Sequence, residues 1–215
     1  MINDEGVVLL HGIFRTGRSM RGLEKMLQRN GFKTLNITFP STKLSIEETI
    51  DLIHPVIEKF KQEVNGPISF VTYSLGGLIA RAYLHKYPVE NMGRVVMTGP
   101  PNGGSELADR IKNWRLYKKL YGPAGQQLVT NQQEFSHLFG KVNYELGIIA
   151  GNWTVEPISS LFLSWPNDGK VSVASTKLEG MKSHLIVPIP HSYLSASKRV
   201  YRHTLHFLRH ASFKA

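Results

Sequence analysis

Short apolar runs alternate along this chain with longer stretches whose apolar residues recur every three to four positions. Gly6-Val7-Val8-Leu9-Leu10 is continuously apolar, as a strand covered on both faces must be. Leu35, Ile37 and Phe39 alternate along a second strand that Pro40 closes. Ile68 to Tyr73 makes a third, Val95-Val96-Met97 a fourth, Leu146 to Gly151 a fifth, and Leu185 to Ile189 a last one ending at Pro190-His191. Between them the period changes to that of a helix. Met20, Leu23 and Met26/Leu27 mark one from about Ser19 to Arg29, stopped by Gly31. Ser45-Ile46-Glu47-Glu48 is a capping box, and Ile46, Ile50, Ile53, Ile57, Phe60 and Val64 follow at helical spacing, with a kink expected at Pro55. Leu75 to Tyr87 is a third helix. The last spans about Ser195 to Ala211, with Ala196, Val200, Phe207 and Leu208 inward. Strands alternating with helices across short loops predict an α/β fold: a mostly parallel central sheet of about six strands, helices on both faces. Functional loops then gather at the C-terminal strand ends.

The middle third breaks this rhythm. Leu107, Ile111, Trp114, Tyr117/Lys118 and Tyr121 fall on one face of a basic amphipathic segment, and Gly122 to Gly140 is polar and weakly patterned. Residues 1–215 are expected to form one domain, with about 103–140 a lid-like or peripheral insertion. It could pack its aromatic face on the core, wall an acyl chain, or dock on lipid through Trp114 and the neighbouring lysines.

Charge narrows the partners. The 215 residues include 26 Lys or Arg against 16 Asp or Glu, a formal net charge of +10. Such a surface attracts nucleic acid, anionic membranes or anionic substrates. No zinc-finger, helix-turn-helix or RNA-recognition pattern accompanies it, so nucleic acid is not expected. An anionic membrane surface remains a candidate partner. No apolar run approaches the ~20 residues of a membrane span. The acidic start, Met1 to Glu5, lacks the pattern of a secretory signal. A cytoplasmic location, with an option of peripheral membrane contact, is the expectation. The chain has no cysteine, which removes disulfide and thiolate chemistry.

The chemistry centres on Ile68-Ser69-Phe70-Val71-Thr72-Tyr73-Ser74-Leu75-Gly76-Gly77, a strand, a serine and a helix in immediate succession. A sharp turn there lifts a serine Oγ out of the sheet, as in the G-x-S-x-G nucleophile elbow, here with Thr72 in place of the first glycine. A serine hydroxyl needs a base in reach and an acid that orients the base. His191, directly after the last strand, is the candidate base. Asp168, in the turn Asn167-Asp168-Gly169, is the candidate acid, with Asp109 as its rival. Negative charge on the attacked carbonyl calls for two backbone N–H donors, from Leu75 and from Ile13 in the His11-Gly12-Ile13 loop. His11 is expected to brace that loop. His203, His206 and His210 share a helix face, but no matching carboxylate set accompanies them, so no metal is expected.

These motifs resemble those of the α/β-hydrolases, and within that group the small bacterial lipases and esterases. His11-Gly12, Thr72 to Gly77, Pro101-Asn102-Gly103-Gly104-Ser105, Asn167-Asp168-Gly169 and His191 stand in that order, over nearly the whole chain. The resemblance implies hydrolysis of a carboxylic ester through an acyl-serine intermediate, acting on small-molecule or lipid esters with no cofactor. Thioesterase, acyltransferase and peptidase share the fold and remain alternatives, as does a non-catalytic lipid-binding protein on the same scaffold. Two departures stand out. Thr72 replaces a glycine, from which a slightly opened elbow is expected. Ile13-Phe14-Arg15 replaces smaller residues, so Phe14 narrows the acyl site and Arg15 brings positive charge to its rim. Phe14 and Tyr73 are the expected substrate-binding residues, and shorter or monoacyl esters are favoured.

Overall fold

A computed structural model describes residues 4–106, 109, 115–128, 136–156 and 160–213. The strands are β1 (Gly6–Leu10), β2 (Lys33–Ile37), β3 (Ile68–Tyr73), β4 (Met92–Thr98), β5 (Glu145–Gly151) and β6 (Ser183–Val187). They form one sheet of order β2-β1-β3-β4-β5-β6, in which every pairing is parallel. All six strands therefore end at the same edge.

Alternation along each strand divides the core into two layers. Val8, Leu10, Ile68, Phe70, Val95, Met97, Leu146 and Ile148 face one side. There they meet α2 (Ile46–Gln62) and α3 (Leu75–Lys86) through residues such as Ile50, Ile53, Leu78 and Ile79. Val7, Leu9, Val71, Val96 and Ile149 face the other side. They meet α1 (Arg21–Arg29) through Leu23 and Leu27, and a C-terminal helix through Val200, Phe207 and Leu208. Such a sheet needs apolar residues at both parities, hence the continuous runs. The α/β fold with helices on both faces is thus as the sequence pattern predicts.

Several boundaries differ from that pattern. β2 stops at Ile37, and Phe39 instead packs its ring on His11. β6 begins at Ser183 and excludes Ile189, because Pro188 offers no N–H to a ladder. As the pattern predicts, Pro55 lies inside one helix, α2; Pro55 is exposed, so the carbonyl it leaves unbonded can meet water. The last helix begins later than the pattern suggests, at Lys198, and runs to His210; Ser197 caps it by accepting from Val200 N–H, and a separate short helix, His191–Leu194, precedes it across a break. Ala196 lies in the break and is exposed rather than inward.

In the insertion, the helix Arg115–Gln126 is interrupted at Gly122, whose φ is 63°. A Cβ at Gly122 would stand within 1.8 Å of Thr42 O, so only glycine fits that approach. Most of the amphipathic stretch before Arg115, including Trp114, lies outside the described residues, and with it the docking role of Trp114. No helix among the described residues is long and apolar enough to cross a membrane.

Candidate active site

β3 ends at Tyr73 and α3 begins at Leu75, so Ser74 makes the whole turn by itself. Its backbone sits at φ 53°, ψ −122°, a region that non-glycine residues rarely occupy. The turn is held by Ser74 N–H donating to Thr98 O at 2.9 Å and by Gly77 N–H donating to Ser74 O at 2.9 Å. Room for it comes from Gly76, where a Cβ would stand 2.4 Å from the carbonyl oxygen of Leu10. Thr72 is fully buried, and the missing side chain of Gly77 leaves its hydroxyl space.

His191 opens the short helix His191–Leu194, directly beyond the last strand. Its Nε2 lies 3.0 Å from Ser74 Oγ, and its Nδ1 lies 2.8 Å from Asp168 Oδ2. The one network that satisfies all three groups has the serine hydroxyl donating to Nε2 and Nδ1–H donating to Asp168. Asp168, 2% exposed, also accepts from the N–H groups of Lys170 and Val171 through Oδ1, while its carbonyl accepts from His191 N–H at 3.0 Å. The preceding Asn167 closes the turn by accepting from Gly169 N–H and from the Ser160 hydroxyl. Asp168 is thus both a turn-bonding aspartate and the partner of His191, one oxygen serving each task. Gly99 makes space for the imidazole, since a Cβ there would lie 3.1 Å from His191 Cε1.

The loop after β1 completes the setting. His11 is fully buried; its Nδ1–H donates to Gly12 O at 2.8 Å, and its Nε2 accepts from Phe39 N–H at 3.2 Å. Its ring stacks on Phe39 with centroids 4.0 Å apart, and burial lowers its pKa. Its hydrogen bonds go to Gly12 and Phe39, so it braces the loop. Ile13 follows Gly12, whose own added Cβ would stand 3.0 Å from Ser74 Cβ. The loop backbone therefore passes close beside the serine. Leu75, as the first residue of α3, has an N–H without a partner in the helix, at its positive end. Leu75 and the loop that carries Ile13 thus both border Ser74.

A cavity of about 250 Å³ opens over Ser74 and His191. Ile13, Phe14, Tyr121, Leu128 and Val171 give it apolar walls, while Arg15, Lys170 and Ser105 add polar groups. Phe14, held at φ 57°, meets the Tyr121 ring edge-on with centroids 4.7 Å apart. Tyr73 lines the cavity too, but its hydroxyl is turned to His191 O. The positions that the sequence left unassigned, Tyr121, Leu128, Val171 and Lys170, reach the cavity only through tertiary contacts. One is Ser105 N–H donating to Leu128 O at 2.7 Å, which ties the insertion back to the loop after β4.

The other candidates stand apart. The Nδ1 of His191 meets Asp168 and not Asp109, whose N–H donates to Ser105 O. His184 lies at the start of β6, 2.9 Å from the Thr176 hydroxyl. His206 bonds the carbonyl of Ser212, and among the described residues no group of three or more His, Cys, Asp or Glu could hold a metal.

The arrangement can activate a hydroxyl, hold the resulting imidazolium and bind an oxyanion, which is the equipment of acyl transfer. Comparison with known proteins bears on this. The sequence pattern described as palmitoyl protein thioesterase matches residues 6–144, a span that includes Ser74 and ends before Asp168 and His191. No curated protein matches the chain. Among solved structures, the mature form of the lipase BlEst2 from Bacillus licheniformis is similar at 19% identity and a TM-score of 0.79, covering 96% of this chain and 91% of that one. In its propeptide form the match covers 98% of this chain but 50% of that one, at 18% identity and a TM-score of 0.80. The metagenomic carboxyl esterase MGS0156 has 18% identity and a TM-score of 0.70, over 98% of this chain and 75% of that one. At such identities the likeness establishes the α/β-hydrolase fold.

Proposed function

The chain belongs to the palmitoyl protein thioesterase family, and on that premise we propose that it is a serine hydrolase of acyl esters working through an acyl-serine intermediate. Ser74 Oγ attacks the acyl carbonyl as its proton passes to His191 Nε2. Asp168 holds His191 in the tautomer that accepts this proton and stabilises the imidazolium. The N–H groups of Leu75 and Ile13 bind the carbonyl oxygen as it becomes an oxyanion. The tetrahedral carbon then expels the alcohol or thiol, which leaves with the proton from Nε2. Water repeats the sequence on the acyl-serine and releases the acid.

The observation that carries this reading is the continuous hydrogen-bond path from Ser74 Oγ through His191 to Asp168, at 3.0 and 2.8 Å. In this reading the insertion at about 103–140 belongs to the same domain, and Tyr121 and Leu128 from its described part wall the acyl chain at the cavity. A cavity of about 250 Å³ is below the ~300–1,000 Å³ usual for drug-sized ligands, which favours short acyl groups or the first part of a longer one. Carboxylic esters are the first reading. Thioesters are the second, favoured by the family to which the chain belongs.

The test is hydrolysis of p-nitrophenyl esters and acyl thioesters of graded chain length, beside Ser74→Ala. Turnover that vanishes in the variant is expected, and the faster of the two series assigns the leaving group. Unchanged turnover in Ser74→Ala would remove Ser74 from the mechanism. A folded protein inert toward every acyl compound would leave a binding scaffold.

A further inference from the structure

Large apolar side chains are not scattered evenly over this surface. Eleven are exposed among the described residues, and three of them, Leu52 and Val56 on α2 and Ile186 on β6, lie along the flanks. The other eight stand on connections that leave the C-terminal ends of the strands, the edge that holds Ser74 and His191. Leu161 is 81% exposed, Trp165 71% and Tyr193 59%. Trp153 shares the segment beyond β5 with Leu161 and Trp165, Tyr193 follows β6, Phe14 follows β1, and Leu120 adjoins Tyr121 at the cavity. A monomer surrounded by water would gain nothing from this segregation.

We propose that this edge is a docking face for an anionic lipid bilayer, so that the cavity opens directly onto the lipid surface. Two tryptophans and a tyrosine among the exposed residues suit the boundary between headgroups and acyl chains, where an apolar ring with one polar atom is at home. The charges on the same edge agree. Arg15, Arg18 and Lys43 are exposed there without an ion pair among the described residues. Several acids share that edge, each with a partner: Asp168 is buried against His191, Glu156 pairs with Lys170, Glu106 accepts from Ser172, Glu47 accepts from Gln127, and Glu48 accepts from Ser45 N–H. A second copy of this chain fits the face less well, because each copy carries +10 and would also cover the cavity mouth. From the proposed acyl hydrolysis the inference takes one element: the cavity must receive an acyl chain, and an edge dipping into the headgroup layer presents it to one.

The test is sedimentation of the Ser74→Ala protein with vesicles of phosphatidylcholine and phosphatidylglycerol, so that binding is read without hydrolysis. Binding is expected to weaken with salt and to fall by about tenfold or more in a Trp153→Ser/Leu161→Ser variant. With Ser74 intact, that double variant should hydrolyse a water-soluble short ester at the wild-type rate. Failure to sediment, or equal binding by the double variant, overturns the proposal. Equal binding to pure phosphatidylcholine overturns its anionic part. A dimer in light scattering that the double variant disperses assigns the face to self-association instead. Vesicle binding by a protein inert toward every acyl compound would count against the hydrolase reading and leave the docking face standing.

Discussion

The Tyr73 hydroxyl donates to the main-chain oxygen of His191 at 3.0 Å, joining the residue before the serine to the histidine that meets it. Tyr73 is 3% exposed, and its ring lies 5.2 Å from the imidazole, centroid to centroid. Burial raises the phenol's pKa, so it remains a donor. The bond fixes the distance between two loops far apart in sequence. Tyr73→Phe is expected to cost about 1 kcal/mol of stability and to lower kcat about tenfold, with KM little changed. Thermal unfolding and steady-state kinetics on a short ester check both. A change confined to KM would make Tyr73 a substrate contact and not a positioning residue.

The turn at Ser74 stores strain. Glycine adopts φ 53°, ψ −122° without a Cβ penalty, so Ser74→Gly should raise stability while removing the proposed nucleophile. After the added freedom of the unfolded chain is deducted, a gain of about 1 kcal/mol is expected, or about 2–4 °C in Tm. Calorimetry of the two proteins decides it, and a lower Tm in the variant would mean that the turn carries no strain.

Gly76 has no spare volume. An alanine there would bring its methyl to 2.4 Å from the Leu10 carbonyl, a backbone atom that cannot step aside. Gly76→Ala should therefore destabilise by about 1–3 kcal/mol or more and displace Ser74 from His191, lowering activity in the protein that still folds. Urea unfolding with kinetics on the soluble fraction tests this.

Asp168→Asn keeps an oxygen and the shape of the side chain but removes the charge that, in the proposed mechanism, orients His191. Turnover should fall by about 10⁴-fold, as orienting acids in such triads generally require. Activity near wild type would show that His191 is oriented by another group.

Burial lowers the pKa of His11 below its ordinary 6.5, and burial acts in the same direction on His184 and His203. As pH falls through 6.5 the unfolded chain takes up these protons before the folded chain does. The stability present in full above that pH is therefore lost progressively as the pH falls toward the folded values. Urea unfolding at about pH 7.5 and about pH 5.5 should show this loss, and His11→Gln should make it smaller. An identical pH dependence in His11→Gln would remove His11 from the linkage.

Much of this was legible in the sequence for a simple reason. A parallel sheet covered on both faces demands apolar residues at every strand position, so Gly6–Leu10 and Ile68–Tyr73 announce themselves. Serine between such a run and two glycines leaves few backbone solutions, and His191 after the last strand could only arrive at the same edge. The places where the reading slipped are those where a local signal was weak. The last helix starts at Lys198 and not near Ser195, because Ser197 caps it, and Phe39 left its strand to cover His11.

Local pattern thus determined the elements, their order and the edge at which Ser74, Asp168 and His191 meet, because periodicity and turn chemistry act over a few residues. The tertiary structure alone decided the rest. It placed the Tyr73 hydroxyl on His191, set Tyr121 and Leu128 at the cavity, and left Trp153, Leu161 and Trp165 exposed beside it. Such relations join residues distant in the chain, and no short-range pattern encodes which side chains a folded surface leaves uncovered.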